Sequence, residues 1–206
     1  LSLTPTFKNL RRRAAAVPVL AAVALSLGGC GSLTGRPVRP TNISQDELSA
    51  GPEPYFWAGP VTYQVQISRE LNPFDVADVP YFAGVTDAQT IPSGPNGYFW
   101  YGVFLWAKNQ SGHVAPTTDT FRIVDASGAA YSPTPLNPSI NPYAWAPERL
   151  SPDGVEPTPD STAGLGPNGG GLVLFKLPYS VYSNRPLTLQ VYAPGASSPS
   201  RVSLDL

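Results

Sequence analysis

Residues 61–67, Val-Thr-Tyr-Gln-Val-Gln-Ile, alternate apolar and polar side chains, and that period of two predicts a half-buried strand with Val61, Tyr63, Val65 and Ile67 inward. Residues 187–192 and 202–206 alternate in the same way, and 121–125 predicts a further short strand. Residues 172–177 are apolar apart from Lys176 and stop at Pro178. The run 98–107 is different, because it offers large side chains to both faces: Tyr98, Trp100, Phe104 and Trp106 on one, Phe99, Tyr101, Val103 and Leu105 on the other. Only a central strand covered on both sides tolerates that pattern. Asn109-Gln-Ser-Gly112 closes it, and Asp125-Ala-Ser-Gly128 has the residues of a tight turn leading into Ala130 and Tyr131.

No long apolar pattern at helical period follows residue 31, and Pro73 and Pro80 restrict 71–79 to a turn of helix at most. About seven short strands separated by Gly, Pro, Asn and Asp predict an all-β fold, an immunoglobulin-like antiparallel β-sandwich over residues 55–206. Residues 132–170 interrupt it with a Pro/Gly-rich insertion in which no strand is evident. Long structureless insertions are uncommon in compact domains. This one is either a functional loop packed on the sandwich or hides a strand near Tyr143 and Trp145. Residues 30–54, rich in Gly, Ser, Thr, Pro and charge, read as a flexible, disordered tether.

Ahead of the tether, Lys8 and Arg11–Arg13 precede an apolar run over 14–27 in which only Ser26 is polar. That run is shorter than the ~20 residues of a spanning helix and reads as the core of a secretory signal peptide over 1–29, with the general secretory route favoured over twin-arginine export. It ends in Leu27-Gly28-Gly29-Cys30, which resembles the lipobox of bacterial lipoproteins. The resemblance implies that the Cys30 thiol accepts a diacylglyceryl group and becomes the mature N-terminus. Two or three acyl chains, at ~0.8 kcal/mol per buried CH₂, would then hold the protein on the extracytoplasmic face of the cell membrane.

Composition narrows the chemistry. The chain carries 13 basic and 14 acidic residues, so it lacks the broad positive field of a nucleic-acid-binding protein. Loss of residues 1–29 would leave 9 basic against 14 acidic, a mature net charge of −5. One Cys and one His exclude a disulfide framework and the usual multi-histidine or cysteine-rich metal sites, and no cofactor is implied. His113 follows a turn and is expected to be exposed, and no nucleophile-elbow motif is present after the leader. Asp75, Asp78 and Asp87, and Asp153, Glu156 and Asp160, are oxygen-rich but lack EF-hand spacing, and read as solvated loop carboxylates.

The order of the 101–109 strand, Phe121-Arg-Ile-Val-Asp125 with Gly128 and Tyr131, Gly171-Leu-Val-Leu-Phe-Lys-Leu-Pro178 and Leu187-Thr-Leu-Gln-Val-Tyr192 is similar to the immunoglobulin-like domain of secreted antigens and lipoproteins of actinobacteria and other Gram-positive bacteria. The resemblance spans residues 98–192 and implies a sandwich without established catalytic residues, so none are assigned. The expected role is non-enzymatic: binding an envelope protein, or alternatively binding cell-wall or extracellular glycan through Tyr143 and Trp145. Pro142 and Pro147 bracket that pair and favour its exposure. A hydrolase is the third reading.

Overall fold

Twelve residues, Tyr98–Asn109, form the strand around which the chain is assembled. The computed structural model describes residues 42–44, 55–90 and 96–204. The leader, Leu27, Gly28, Gly29, Cys30 and most of the 30–54 segment lie outside them. In chain order the strands are β1 (Asn42–Ser44), β2 (Phe56–Ala58), β3 (Val61–Leu71), β4 (Tyr98–Asn109), β5 (Ala115–Pro116), β6 (Phe121–Val124), β7 (Ala130–Tyr131), β8 (Pro133–Thr134), β9 (Arg149–Leu150), β10 (Val155–Glu156), β11 (Gly171–Pro178), β12 (Leu187–Val191) and β13 (Ser200–Leu204). Helix among the described residues is confined to one turn, α1 (Thr162–Leu165), and two 3₁₀ turns, Val79–Phe82 and Tyr179–Ser183. None is long and apolar enough to cross a membrane.

The fold is all-β with mainly antiparallel sheets. One sheet has the order β2-β3-β4-β11-β8, with β10 also on β4; a second runs β1-β13-β12-β6-β7; β5 and β9 form a separate pair. Within the segment read as tether, Asn42–Ser44 pair in parallel with β13. The longer strands lie where the alternation predicts them. Phe99, Tyr101, Val103 and Leu105 of β4 join Tyr63 of β3, Ile123 of β6, Phe175 of β11, Leu189 of β12 and Val202 of β13 in one core shared by the two larger sheets. The opposite face of β4 places Trp100 and Phe104 in a second cluster with Leu71, Tyr81, Phe82, Ala88, Leu172 and Leu174. The cover on that face comes chiefly from the 3₁₀ turn and loop between β3 and β4. Tyr55 adds to that cover, its ring centroid 5.7 Å from that of Trp106, while its neighbour Phe56 lies in the first core.

Ile67 departs from the simple alternation. A bulge between Val65 and Ile67 inserts one residue, which sends Val61, Tyr63 and Val65 to the first core but turns Ile67 and Leu71 toward the second. The Asp125 turn forms as expected: Gly128 takes φ 89°, and Asp125 accepts from the Ser127 and Ala129 N–H groups and the Tyr131 hydroxyl. Burial alone would raise the Asp125 carboxyl, but these donors hold it below its usual range. Burial and the same carboxylate push Tyr131 up to about 12.

The insertion is less bare than its composition suggests. It holds β8 on β11, β9 on β5, β10 on β4, the turn α1, and a parallel bridge between Ala144 and Leu172. Two-residue strands are too short to show alternation, and the proline of β8 occupies a sheet edge, where a missing N–H is tolerated. The last residue of β4 ties the insertion down. Asn109 is fully buried; its amide donates to the carbonyls of His113, Leu150 and Ser151, and its Oδ1 accepts from the Ser111 N–H and hydroxyl. Asn109→Ala would leave these buried groups without partners, and we expect a loss of roughly 3 kcal/mol in urea unfolding. Ser111→Ala, which removes only the hydroxyl contacts at a partly buried site, should lose less than half as much.

Candidate functional site

The bridge at Ala144 decides where the aromatic side chains of the insertion go. The Trp145 N–H donates to the Leu172 carbonyl and the Leu172 N–H to the Tyr143 carbonyl, at 2.9 and 2.7 Å. That pairing draws Trp145 against the first core: it is 8% exposed, its indole N–H donates to the Thr118 carbonyl at 2.7 Å, and its ring packs on Tyr63 and edge-on to Phe121. Gly171 permits the approach, because a Cβ there would lie 2.9 Å from the indole. Tyr143 is half-buried and stacks edge-on against Tyr81, whose ring belongs to the second cluster. The expectation of an exposed pair fails at Trp145. The flanking prolines bar regular pairing but do not stop one backbone bridge from burying the ring. The two rings form no exposed platform on which a sugar could stack.

Trp145 instead forms part of the wall of a partly open cavity of about 250 Å³. Pro138, Pro142, Ala144 and Pro157 supply apolar surface, and Glu148 and Glu156 are the charged residues of the lining. With Pro138, Trp145 also borders a second cavity of about 230 Å³. Glu156 is set in place by β10, where it sits opposite Ala107 of β4. It is 3% exposed, and neither carboxylate oxygen has a hydrogen-bond partner. Burial pushes its carboxyl up to about 8, and the charge of Glu148 adds to the rise. The Thr117 hydroxyl and the N–H groups of Ala146 and Glu148 favour the charged form by smaller amounts, without a hydrogen bond of good geometry to either oxygen. The Glu148 N–H donates instead to the Thr117 hydroxyl at 2.9 Å.

The other sequence candidates lie apart from this cavity. Asp78 is buried and paired with Arg69, and it accepts from the Asn72 N–H at 2.9 Å. Burial opposes its ionisation, but Arg69 and the Asn72 N–H hold the carboxyl below its usual range. Asp75, Asp87 and Asp160 are exposed, and Asp153 is an exposed partner of Lys108 at 3.6 Å. Among the described residues no group of three His, Cys, Asp or Glu side chains could hold a metal ion. His113 is exposed, and Ser111 and Asn109 contact its backbone carbonyl. The Glu156 cavity went unread in the sequence, where the residue stands in a loop-like Val-Glu-Pro context with no local sign of burial.

The chain matches no protein family, no curated protein and no solved structure among known proteins.

The folded protein holds the Glu156 proton more tightly than the unfolded chain, so folding favours protonation. The contribution is fully present below about pH 4.5 and is lost as pH rises through about 8. Glu156→Gln removes that dependence. Its Tm should match wild type near pH 4 and exceed it by several degrees at pH 9, read by thermal unfolding across that range. Parallel curves for the two proteins would refute the assignment.

Proposed function

We propose that the protein is a lipid-anchored envelope protein with an immunoglobulin-like domain, and that it acts by non-catalytic binding through the insertion over 132–170. The binding role rests on one observation: the insertion's short strands and bridge hold open a cavity of about 250 Å³ beside a buried, unpartnered carboxyl. Buried polar groups are ordinarily satisfied within the protein. Glu156 departs from that rule with its oxygens closed off from solvent, and the open cavity beside it is what offers room for a partner.

The order of strand pairing supports the immunoglobulin-like reading. Taking β3, β4, β6, β8, β11, β12 and β13 as successive strands A to G, the pairings are A with B, B with E, and E with D in one sheet, and C with F and F with G in the other. That is the four-on-three arrangement of constant-type domains. Support for the anchor comes from the basic segment, apolar run and Leu27-Gly28-Gly29-Cys30 in sequence. The protein partner is favoured over glycan stacking because Trp145 is buried.

Fractionation of bacterial cells expressing the full chain tests the anchor. Wild type should sediment with membranes and partition into detergent, whereas Cys30→Ala should move to the soluble exported fraction. Equal membrane retention of the two would overturn it. For binding, a photoreactive residue at the exposed cavity-lining position of Ala146 should crosslink to an envelope component, and one at exposed Arg122 on β6 should not.

A further inference from the structure

The Trp100 and Trp145 indole N–H groups donate inside the protein, to the Ala88 and Thr118 carbonyls, but that of Trp106 donates to no described residue. It is not sealed in. Among the described residues only the Glu156 oxygens are both buried and unpartnered, so half-exposed Trp106 presents its N–H to solvent. Across the sheet Trp106 pairs with Gln64, and Gln66, the residue at the bulge of β3, donates from Nε2 to the Gln64 Oε1 at 2.8 Å. That bond leaves the Gln64 Nε2 as a donor and the Gln66 Oε1 as an acceptor, neither engaged by another described residue. Tyr55 stands beside them, its ring tilted by 39° to that of Trp106. With Pro157 and Pro159 these side chains line an open cavity of about 330 Å³, within the roughly 300–1,000 Å³ of small-ligand sites. Gly169, at φ 56°, lies on the same wall; a Cβ there would stand 4.0 Å from the Gln66 Oε1, and its absence leaves the approach to that acceptor clear.

No Lys, Arg, His, Asp or Glu lines this cavity. A charged ligand would give up hydration there without a counter-charge. A wholly apolar one would cover the Trp106 N–H and the two amides without partners. A ligand with an apolar face and several hydroxyls meets both demands, because each hydroxyl donates and accepts. A pyranose has that form, with C–H groups on its ring faces and hydroxyls around its edge. A proline-rich peptide also brings apolar rings and carbonyl acceptors, but its prolines have no N–H to offer the Gln66 Oε1. We propose that the Trp106 cavity is a subsite for a neutral pyranose unit of a glycan. Trp106 and Tyr55 pack against its C–H groups, and the Trp106 N–H, the Gln64 Nε2 and the Gln66 Oε1 bond its hydroxyls. The subsite shares Pro157 with the Glu156 cavity but not Glu148 or Glu156, and it does not involve the Tyr143–Trp145 pair.

Titration of the full chain with the methyl β-glycosides of glucose, galactose and N-acetylglucosamine tests the proposal, read by saturation transfer to the sugar C–H protons and by the NMR signals of the Trp106 indole N–H and the Gln64 and Gln66 amides. At least one should bind with a Kd on the order of 1 mM, as expected for a ligand of that size. Cyclohexylmethanol, which keeps the ring and loses all but one hydroxyl, should bind at least tenfold more weakly. Trp106→Phe keeps an aromatic wall without the N–H and should weaken the sugar roughly fivefold, as should Gln66→Ala at its exposed position. Arg122→Ala on the other sheet should change nothing. Spectra unchanged away from the cavity show that the variants fold, and Gln66→Ala keeps the test decisive if Trp106→Phe does not. No response to any of the three glycosides at tens of millimolar, equal binding of cyclohexylmethanol, or full affinity in Gln66→Ala would overturn the proposal. Movement of the same signals by neutral acetyl-triprolinamide but by no glycoside would overturn it in favour of a peptide. Such failures would leave the crosslink at Ala146 untouched, since Ala146 does not line this cavity.

Discussion

A strand that is apolar on both faces cannot lie at a surface, and β4 is such a strand. Covering a large apolar side chain is worth about 1.5–3 kcal/mol, and β4 places Phe99, Tyr101, Val103 and Leu105 on one side with Trp100 and Phe104 on the other. The second sheet covers the first side. The loop between β3 and β4, with Leu172, Leu174 and the half-buried Tyr143, covers the second. The bulge in β3 serves the same end, since it lets one strand feed Tyr63 to one cluster and Leu71 to the other.

Polar ties then position what the apolar clusters leave loose. Asn109 gathers carbonyls from the loop after β4 and from within the insertion, and the Trp145 indole N–H reaches the Thr118 carbonyl. The Tyr63 hydroxyl accepts from the Thr118 N–H at 3.0 Å, so strand β3, the segment before β6 and the insertion meet at one residue. Each bond satisfies a group that would otherwise be buried without a partner. Glu156, near enough for its charge to raise the Tyr63 hydroxyl, is the exception.

The longer elements were legible in the sequence because alternation over five or more residues encodes burial directly, as in β12 and in the two-faced run of β4. The insertion was not. Its strands are two residues long, and their pairing is set by partners far away in the chain. Trp145 sits between prolines and reads as loop, yet its environment is fixed by Leu172 and Thr118. Glu156 was visible only as a carboxylate among others, because the sequence carries no local mark of the Trp145, Pro157 and Thr117 surroundings that isolate it.

The distributed attachment of the insertion has a consequence for how freely it can vary. Contacts at 133–134, 144, 149–150 and 155–156 divide it into short spans, each closed independently on the sheets. Doubling the length of one such span adds only about 0.6 kcal/mol of closure entropy, and the neighbouring spans keep their own attachments. Exposed residues between these points can therefore be exchanged or lengthened one span at a time while the strands beneath keep their register, with buried Asn141, whose amide donates to the Tyr81 carbonyl, as a further fixed point. The domain is in effect a scaffold with separately adjustable segments, so a change in the span that carries Pro138 and Pro142 could reshape one wall of the cavity without moving the strand that carries Glu156.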